Sequence, residues 1–470
     1  MTLVTYSLLA LLVLPTRPVD QTIKIQKLLN SQAGKTVVLP KGTIWISTLN
    51  VPQKTHLVIN AGTIVKGLPS EQPLPLLNLT NDVQVTGSGK LDGNRRYRTK
   101  GVGIRAFDSQ RVKIANIAIT ETAEQGIILA GCSNVAISKS RIIGCGAKGV
   151  NQFQAINIVT SQDVVVTGCY IDGAQHGIQW WGDDIKKWCE RIIINQNTVR
   201  NVTGGGIWGN KGEDILIDNN SVTTCGDVGI DFESSRNGRA INNSVRNCKN
   251  YGLAVFFASK AILFSKNKIY QDINFGHGIG LTGEGQSSDI TFSNNTVSVK
   301  GLNKCGLITD GANIVTNVII ERSTFVTTGK EGIPIRILDN NNFRIVDNPS
   351  IRGISPVGIS LEGSSNSVVS NNRIVHLGAD ASIFGAKGGI FVYYRSNLFP
   401  SKNNVIKNNF VSGYKTGMND DCWGDVNSNN LFENNITPNF AHRIANGNWG
   451  GKSSSNSTVN HESSPVKAIK

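Results

Sequence analysis

The hydrophobic positions of this 470-residue chain follow no helical period over most of its length. They fall in short alternating runs, each opened by a small residue and closed by a turn residue. The clearest unit reads Gly, a large aliphatic, any residue, then a second apolar residue. It returns as Gly126-Ile127, Ala155-Ile156, Gly177-Ile178, Gly206-Ile207, Gly229-Ile230, Gly252-Leu253, Gly278-Ile279, Gly306-Leu307, Gly332-Ile333, Gly358-Ile359, Gly389-Ile390 and Gly417-Met418, at intervals of 22 to 31 residues. Repetition in that range marks a solenoid, in which each repeat buries its apolar face against its neighbours.

Two further rows accompany the first. One consists of Asn corners followed by a β-branched or aliphatic residue, as at Asn197, Asn219-Asn220, Asn242-Asn243, Asn267, Asn294-Asn295, Asn371-Asn372, Asn408-Asn409 and Asn434-Asn435. The other is a run of alternating aliphatics before it, as at Asp214-Ile215-Leu216-Ile217 and Ala261-Ile262-Leu263-Phe264. Three short strands per repeat, each leaving a turn, predict an all-β coil whose strands stack in parallel on those of the next coil. Asn tolerates left-handed backbone and bonds to neighbouring peptide groups, so the Asn row predicts corner ladders. The sequons at Asn219 and Asn242 read as part of those ladders. Residues 21–30 (QTIKIQKLLN) predict a small N-terminal capping helix.

The pattern sets the domain plan: a leader over 1–20, one solenoid of about twelve or more coils over 21–440, and a disordered polar tail over 441–470. The apolar opening MTLVTYSLLALLVL resembles the core of a secretion signal, which predicts a secreted or cell-surface protein. No later segment approaches the ~18 to 20 apolar residues of a membrane span. The net charge of +14 suits an acidic polymer or simple solubility. The basic residues are scattered and carry no nucleic-acid motif. Eight Cys are too few for a disulfide-stapled scaffold. Cys225 and Cys248 sit at matching repeat positions and read as stacked half-buried thiols, with bridges as the alternative in an exported protein.

One repeat is unlike the rest. In Cys225-Gly226-Asp227-Val228-Gly229-Ile230-Asp231-Phe232-Glu233, alternation turns Ile230 and Phe232 inward, so Asp231 and Glu233 share the outer face. Two outward columns follow. The first runs Gln179, Trp208, Asp231, Ala254, Gly280, Ile308, Pro334, Ser360, Phe391, Asn419; the second runs Trp181, Asn210, Glu233, Phe256, Thr282, Asp310, Arg336, Glu362, Tyr393, Asp421. Trp181, Trp208 and Phe256 flank the acid pair, and small Ala254 and Gly280 leave room beside it. Paired carboxylates can serve as acid and base across a glycosidic bond while rings stack on sugar faces. A pair of solvated carboxylates, or one bound to Arg236 or Arg239, is the bland alternative. His176 and His277 share one repeat position and read either as turn residues bonding backbone or as groups that orient an acid or bind a sugar hydroxyl.

The repeat over about 30–440 resembles the right-handed parallel β-helix proteins of the pectate-lyase-like superfamily. Val38-Leu39-Pro40-Lys41-Gly42-Thr43 and Gly87-Ser88-Gly89-Lys90-Leu91-Asp92-Gly93 also resemble the opening coils of polygalacturonases. Gly182-Asp183-Asp184, Gly276-His277-Gly278 and Ile335-Arg336-Ile337 are similar to their acid-pair, His and Arg motifs; their Asn-Thr-Asp motif is absent. The superfamily contains hydrolases, lyases, epimerases, tailspikes and adhesins, so the fold alone selects no reaction. Three expectations remain open. The first is a glycoside hydrolase needing no cofactor, with Asp231, Glu233 and His277 as catalytic candidates and Trp181, Trp208, Asp183, Asp184, Phe256, Arg336 and Tyr393 as substrate-binding ones. The second is a uronic-acid lyase or C5-epimerase, with His277, Tyr393, Arg336 or Arg395 in the chemistry and Ca²⁺ held by Asp183, Asp184, Asp231 or Glu233. The third is a non-catalytic glycan-binding or adhesive surface protein. All three share a polysaccharide partner.

Overall fold

The computed structural model describes residues 18–146, 153–183, 187–378, 387–422, 428–437, 440–442 and 457–458. The apolar opening and most of the polar tail lie outside them. The helix Thr22–Ser31 comes first, with Ile25 and Leu29 turned onto the first coil. The rest is a coil of short strands in three stacked sheets, two of them with sixteen strands each. The first sheet runs from Thr36–Val38 to Leu431–Glu433, the second from Gly42–Ile46 to Ser457–Thr458, and the third from Leu49–Val51 to Phe440–His442. Strands pair with their counterparts one coil earlier and later, always in parallel, as in Ile207↔Ile230, Ile230↔Leu253 and Leu253↔Ile279. No helix among the described residues is long and apolar enough to cross a membrane.

The repeat is explained by what its inward atoms touch. A Cβ on Gly206 would lie 2.5 Å from Val222 Cγ1 and 2.5 Å from the Gly229 carbonyl oxygen; one on Gly229 would lie 2.3 Å from Val245 Cγ1. The small residue opening these third-sheet strands is therefore where an aliphatic of the second sheet enters. The aliphatics behind it form one continuous core along the axis. Inside that core Trp180, Phe232, Phe264 and Phe292 make a ladder of rings with successive centroids 5.6, 5.6 and 5.1 Å apart. Trp180 fits because its neighbour in the next coil is Gly209, where a Cβ would come within 2.2 Å of the indole.

The Asn corners divide into two jobs. Asn219, Asn242 and Asn294 take φ values of +53°, +57° and +57°, the left-handed turn that reverses the chain. The second Asn of each pair is buried and forms the ladder. Asn220 Nδ2 donates to Asn243 Oδ1 at 3.0 Å, Asn243 Nδ2 to Asn267 Oδ1 at 3.0 Å, and Asn267 Nδ2 to Asn295 Oδ1 at 3.0 Å, while each also donates to a backbone carbonyl. Asn219 and Asn242 are thus exposed turn residues beside the ladder, not rungs of it. Asn243→Ala is expected to destabilise the chain by about 1–3 kcal/mol for each buried group left unpaired, read as a lowered urea midpoint.

The eight cysteines are buried and unbridged. Cys225 and Cys248 lie in register in the second sheet, as stacked thiols. Burial pushes Cys145, Cys169 and Cys189 up to about 11, so these are packing groups and not reactive thiols.

Candidate active site

The strand Ile230–Glu233 places Asp231 and Glu233 on the outer face of the third sheet because Ile230 and Phe232 are drawn wholly into the core. Two residues of strand separate their Cα atoms by ~6.5–7 Å. Asp231 is only 4% exposed, whereas Glu233 is half-buried. Burial, then the Glu233 and Asp227 charges, push the Asp231 carboxyl well above the usual carboxylate range, against one stabilising backbone N–H from Gly209. Burial, then Asp227, push Glu233 up to about 7. Neither carboxylate meets a cation among the described residues. Arg236 stacks over Trp188 instead, 4.6 Å from the ring centroid. The pair therefore holds two carboxyls raised by burial and like charge, Glu233 to about 7, a setting suited to proton transfer.

Aromatic rings stand on the N-terminal side of the pair. Trp208 occupies the outward position next to Asp231, and Trp181 stands edge-on to it at 6.2 Å and 78°. Trp181 is 42% exposed, which leaves a ring free for contact. His176 packs on Trp208 at 5.2 Å, and its Nδ1 accepts the Gly205 N–H. Buried polar atoms nearby have no hydrogen-bond partner among the described residues: Gln154 Oε1, Asn157 Oδ1, Trp208 Nε1, Asn210 Oδ1 and Asp231 Oδ1. Trp208 and Asn210 lie one coil from the acids, and Gln154 and Asn157 three coils away on the same sheet. Such orphans are costly unless a ligand or water meets them.

The remaining candidates lie apart. Asp183 forms a short antiparallel bridge with Lys187 after the Trp181 strand, and Asp184 lies outside the described residues. His277 is two coils beyond the acids, ~10 Å along the axis. Its Nδ1 accepts the Cys305 N–H at 2.9 Å, and burial with the Lys304 charge holds it down to about 4, so it is neutral with its proton on Nε2. That is the backbone-bonding turn histidine of the first alternative. Tyr393 stacks on Phe391 at 5.6 Å, six coils beyond the acids.

Two expectations need correction. Arg336 belongs to the first column, because the pairing is Ile308↔Arg336↔Ser360. The strand opens at Pro334-Ile335, two residues after the Gly332-Ile333 that mimics the unit. The Pro334 carbonyl accepts the Leu307 N–H as the Gly306 carbonyl accepts that of Ile279. Arg336 is four coils from Asp231, and both Glu362 carboxylate oxygens hold its guanidinium at 2.9 Å. The room expected at Ala254 and Gly280 is filled by Tyr251. A Cβ on Gly280 would lie 2.4 Å from that ring, whose hydroxyl donates to Asp310 Oδ2 at 3.1 Å.

Asp227 and Tyr251 escaped the sequence reading. Asp227 is the exposed carboxylate whose charge acts on both acids; it stands in the same nonapeptide, but in the loop, where strand alternation gives no direction. Tyr251 precedes Gly252 just as His176 and His277 precede their glycines, and that shared position was the available signal. Among the described residues no group of three or more acid, His or Cys side chains is placed to hold a metal ion.

A family model described as right handed beta helix region matches residues 77–184 and 154–325. No curated protein matches the chain. Several solved structures are similar. A Yersinia enterocolitica family 28 exopolygalacturonase is 15% identical, with 84% of this chain and 76% of that one covered and a TM-score of 0.46. A polygalacturonase from Erwinia carotovora is 14% identical over 72% of this chain and 95% of that one, at 0.42. PfbA, a surface adhesin of Streptococcus pneumoniae, is 17% identical over 69% of this chain and 88% of that one, at 0.51. With three parallel sheets wound coil upon coil and a family match over more than half its length, the chain belongs to the right-handed parallel β-helix family.

Proposed function

We propose that the protein is an exported glycoside hydrolase acting on a polysaccharide bound along the outer face of the third sheet. The carrying observation is the pairing of buried Asp231 with half-buried Glu233, whose carboxyl titrates at about 7, beside aromatic rings and orphaned polar atoms. Asp231 gives its proton to the glycosidic oxygen as the C–O bond breaks. Glu233 takes a proton from the water whose oxygen forms the new C–O bond, and solvent returns both groups to their starting states. Trp181 stacks on a sugar face, while Gln154, Asn157 and Asn210 accept hydroxyl hydrogen bonds. His277 and Tyr393 lie too far along the axis to join the proton transfer, and Arg336 is occupied by Glu362. A uronic-acid lyase, which needs a free cation at the acid group, is therefore less well supported.

A glycan-binding protein without catalysis is the second reading, favoured by the depth of Asp231, whose Oδ1 is fully enclosed. Wild type and Asp231→Asn are to be incubated with polygalacturonate, alginate, xylan and mixed-linkage glucan. Reducing ends without near-ultraviolet absorbance, lost in the variant, are expected. Absorbance at unsaturated ends would point to a lyase. Retention of a polymer by both proteins without products would establish the binder.

The pH profile supplies an independent check. Glu233 must be ionised to act as base, so kcat/KM is expected to rise with pH through about 7. Asp227 raises that midpoint by like charge, so Asp227→Asn should move the acidic limb to lower pH. An unmoved limb would remove Glu233 from the base role.

A further inference from the structure

The two sides of the acid pair are built of different material. Toward the N-terminal coils the outer face carries Gln154, Asn157, Trp208 and Asn210, each with a buried polar atom lacking a partner among the described residues. Gln154 and Asn157 share one strand, and Trp208 and Asn210 share the strand two coils nearer the acids, so a ligand that satisfies both pairs runs along the solenoid axis. Toward the C-terminal side, the third-sheet strands from Tyr251–Phe256 to Leu307–Asp310 carry no such orphaned atom among the described residues, and one returns on this face only at Asn419. On those nearer strands Val228, Tyr251 and Ala254 are buried in a small apolar cluster of their own, with Phe256 and Ile308 packed on it.

Tyr251 makes this cluster a barrier. It is 5% exposed, so it offers no free ring face for a sugar. Its ring lies over the bare Cα of Gly280, with Phe256 at 6.3 Å and His277 at 5.7 Å. Its hydroxyl reaches Asp310 two coils beyond its own strand and is held there at 3.1 Å. Past it, Ile308 and the closed Arg336–Glu362 pair occupy the outer face. Over Ala254 and Gly280 a polysaccharide continuing in that direction would have to lose hydration from its hydroxyls against the Tyr251 ring, Phe256 and Ile308, which return no hydrogen bond; the polar groups beside them, Thr282 and Asp310, belong to the neighbouring column, and Asp310 already accepts from Tyr251.

Building on the hydrolase reading, we propose that the site takes the end of a polysaccharide chain, with Tyr251 as the specificity-determining wall behind the last sugars bound. The enzyme then cuts short units from a terminus and does not cleave internally. Replacing Tyr251 by Ala removes the wall and opens the face over Ala254 and Gly280 to a continuing chain.

The test is early-time digestion of polygalacturonate and of xylan, following reducing ends, viscosity and product length for wild type, Tyr251→Ala and Phe256→Ala. Wild type is expected to release one short product from the outset with almost no fall in viscosity. Tyr251→Ala is expected to produce a ladder of lengths and a viscosity drop at least severalfold larger per bond cleaved, with Phe256→Ala intermediate. The wild-type pattern stands as a test even where Tyr251→Ala fails to fold. Internal cleavage by wild type would overturn the end-recognition proposal and leave the hydrolase standing. So would an unchanged single product from both variants, confirmed as folded by circular dichroism. Absence of hydrolysis by wild type of these two polymers and of alginate and mixed-linkage glucan would overturn the hydrolase reading and this proposal with it.

Discussion

Glu233→Gln is expected to lower hydrolysis by about 10²–10⁴-fold while making the folded chain more stable above neutral pH. The carboxyl is held at about 7 in the folded chain against an ordinary value of 4.5, so the folded state keeps a proton that the unfolded state releases between these limits. Stability contributed by that proton is fully present below the unfolded value and is lost as pH rises through the folded one. The difference corresponds to about 3 kcal/mol. The amide carries no charge to desolvate or to be repelled by Asp227, so the variant escapes that loss. Its urea midpoint should exceed that of wild type at pH 8 and approach it near pH 4. A variant that loses activity without this pH-dependent gain would mean that Glu233 is ordinarily solvated. The proton-transfer argument would then fail.

The second large effect concerns the residue between the two acids. Phe232 is fully buried, edge-on to Phe264 and tilted against Trp180. Phe232→Ala should cost about 3–5 kcal/mol, from lost transfer energy and a cavity that rigid neighbouring coils cannot close. The loss should extend to catalysis measured well below the unfolding midpoint, because Phe232 anchors the strand from which both carboxylates project. Phe232→Leu, which refills much of the volume, should recover most of the stability. Equal loss of activity in the two variants, with stability recovered only in the second, would show that the ring itself orients the acids.

The Gly-aliphatic unit, the Asn corners and the alternation of strands are local patterns that return every coil. In a solenoid each coil packs only on the next, so local pattern and global architecture carry the same information. That is why the three sheets, the capping helix, the stacked Cys225 and Cys248, and the outward turn of Asp231 and Glu233 could all be read from the chain. The reading failed where the local signal was ambiguous. Gly332-Ile333 has the unit's composition, but Pro334-Ile335 has its place, and the two-residue difference carries Arg336 into the other column.

Other features depend on distances between coils that no periodicity encodes. Whether Asp231 is solvated or enclosed depends on Trp208 and Ala254 in adjacent coils. Whether the face beside it is open depends on the direction taken by Tyr251, a long side chain that leans along the axis to Asp310. Charge state follows from that enclosure, since burial is the leading cause of both raised carboxyls. The sequence by itself therefore determined the coil, its core and the face on which the acids stand, because strand alternation is a property of neighbours in the chain. Only the tertiary structure decided which acid is buried, which cation is already bound and where Tyr251 covers the outer face, because these depend on side chains meeting across coils.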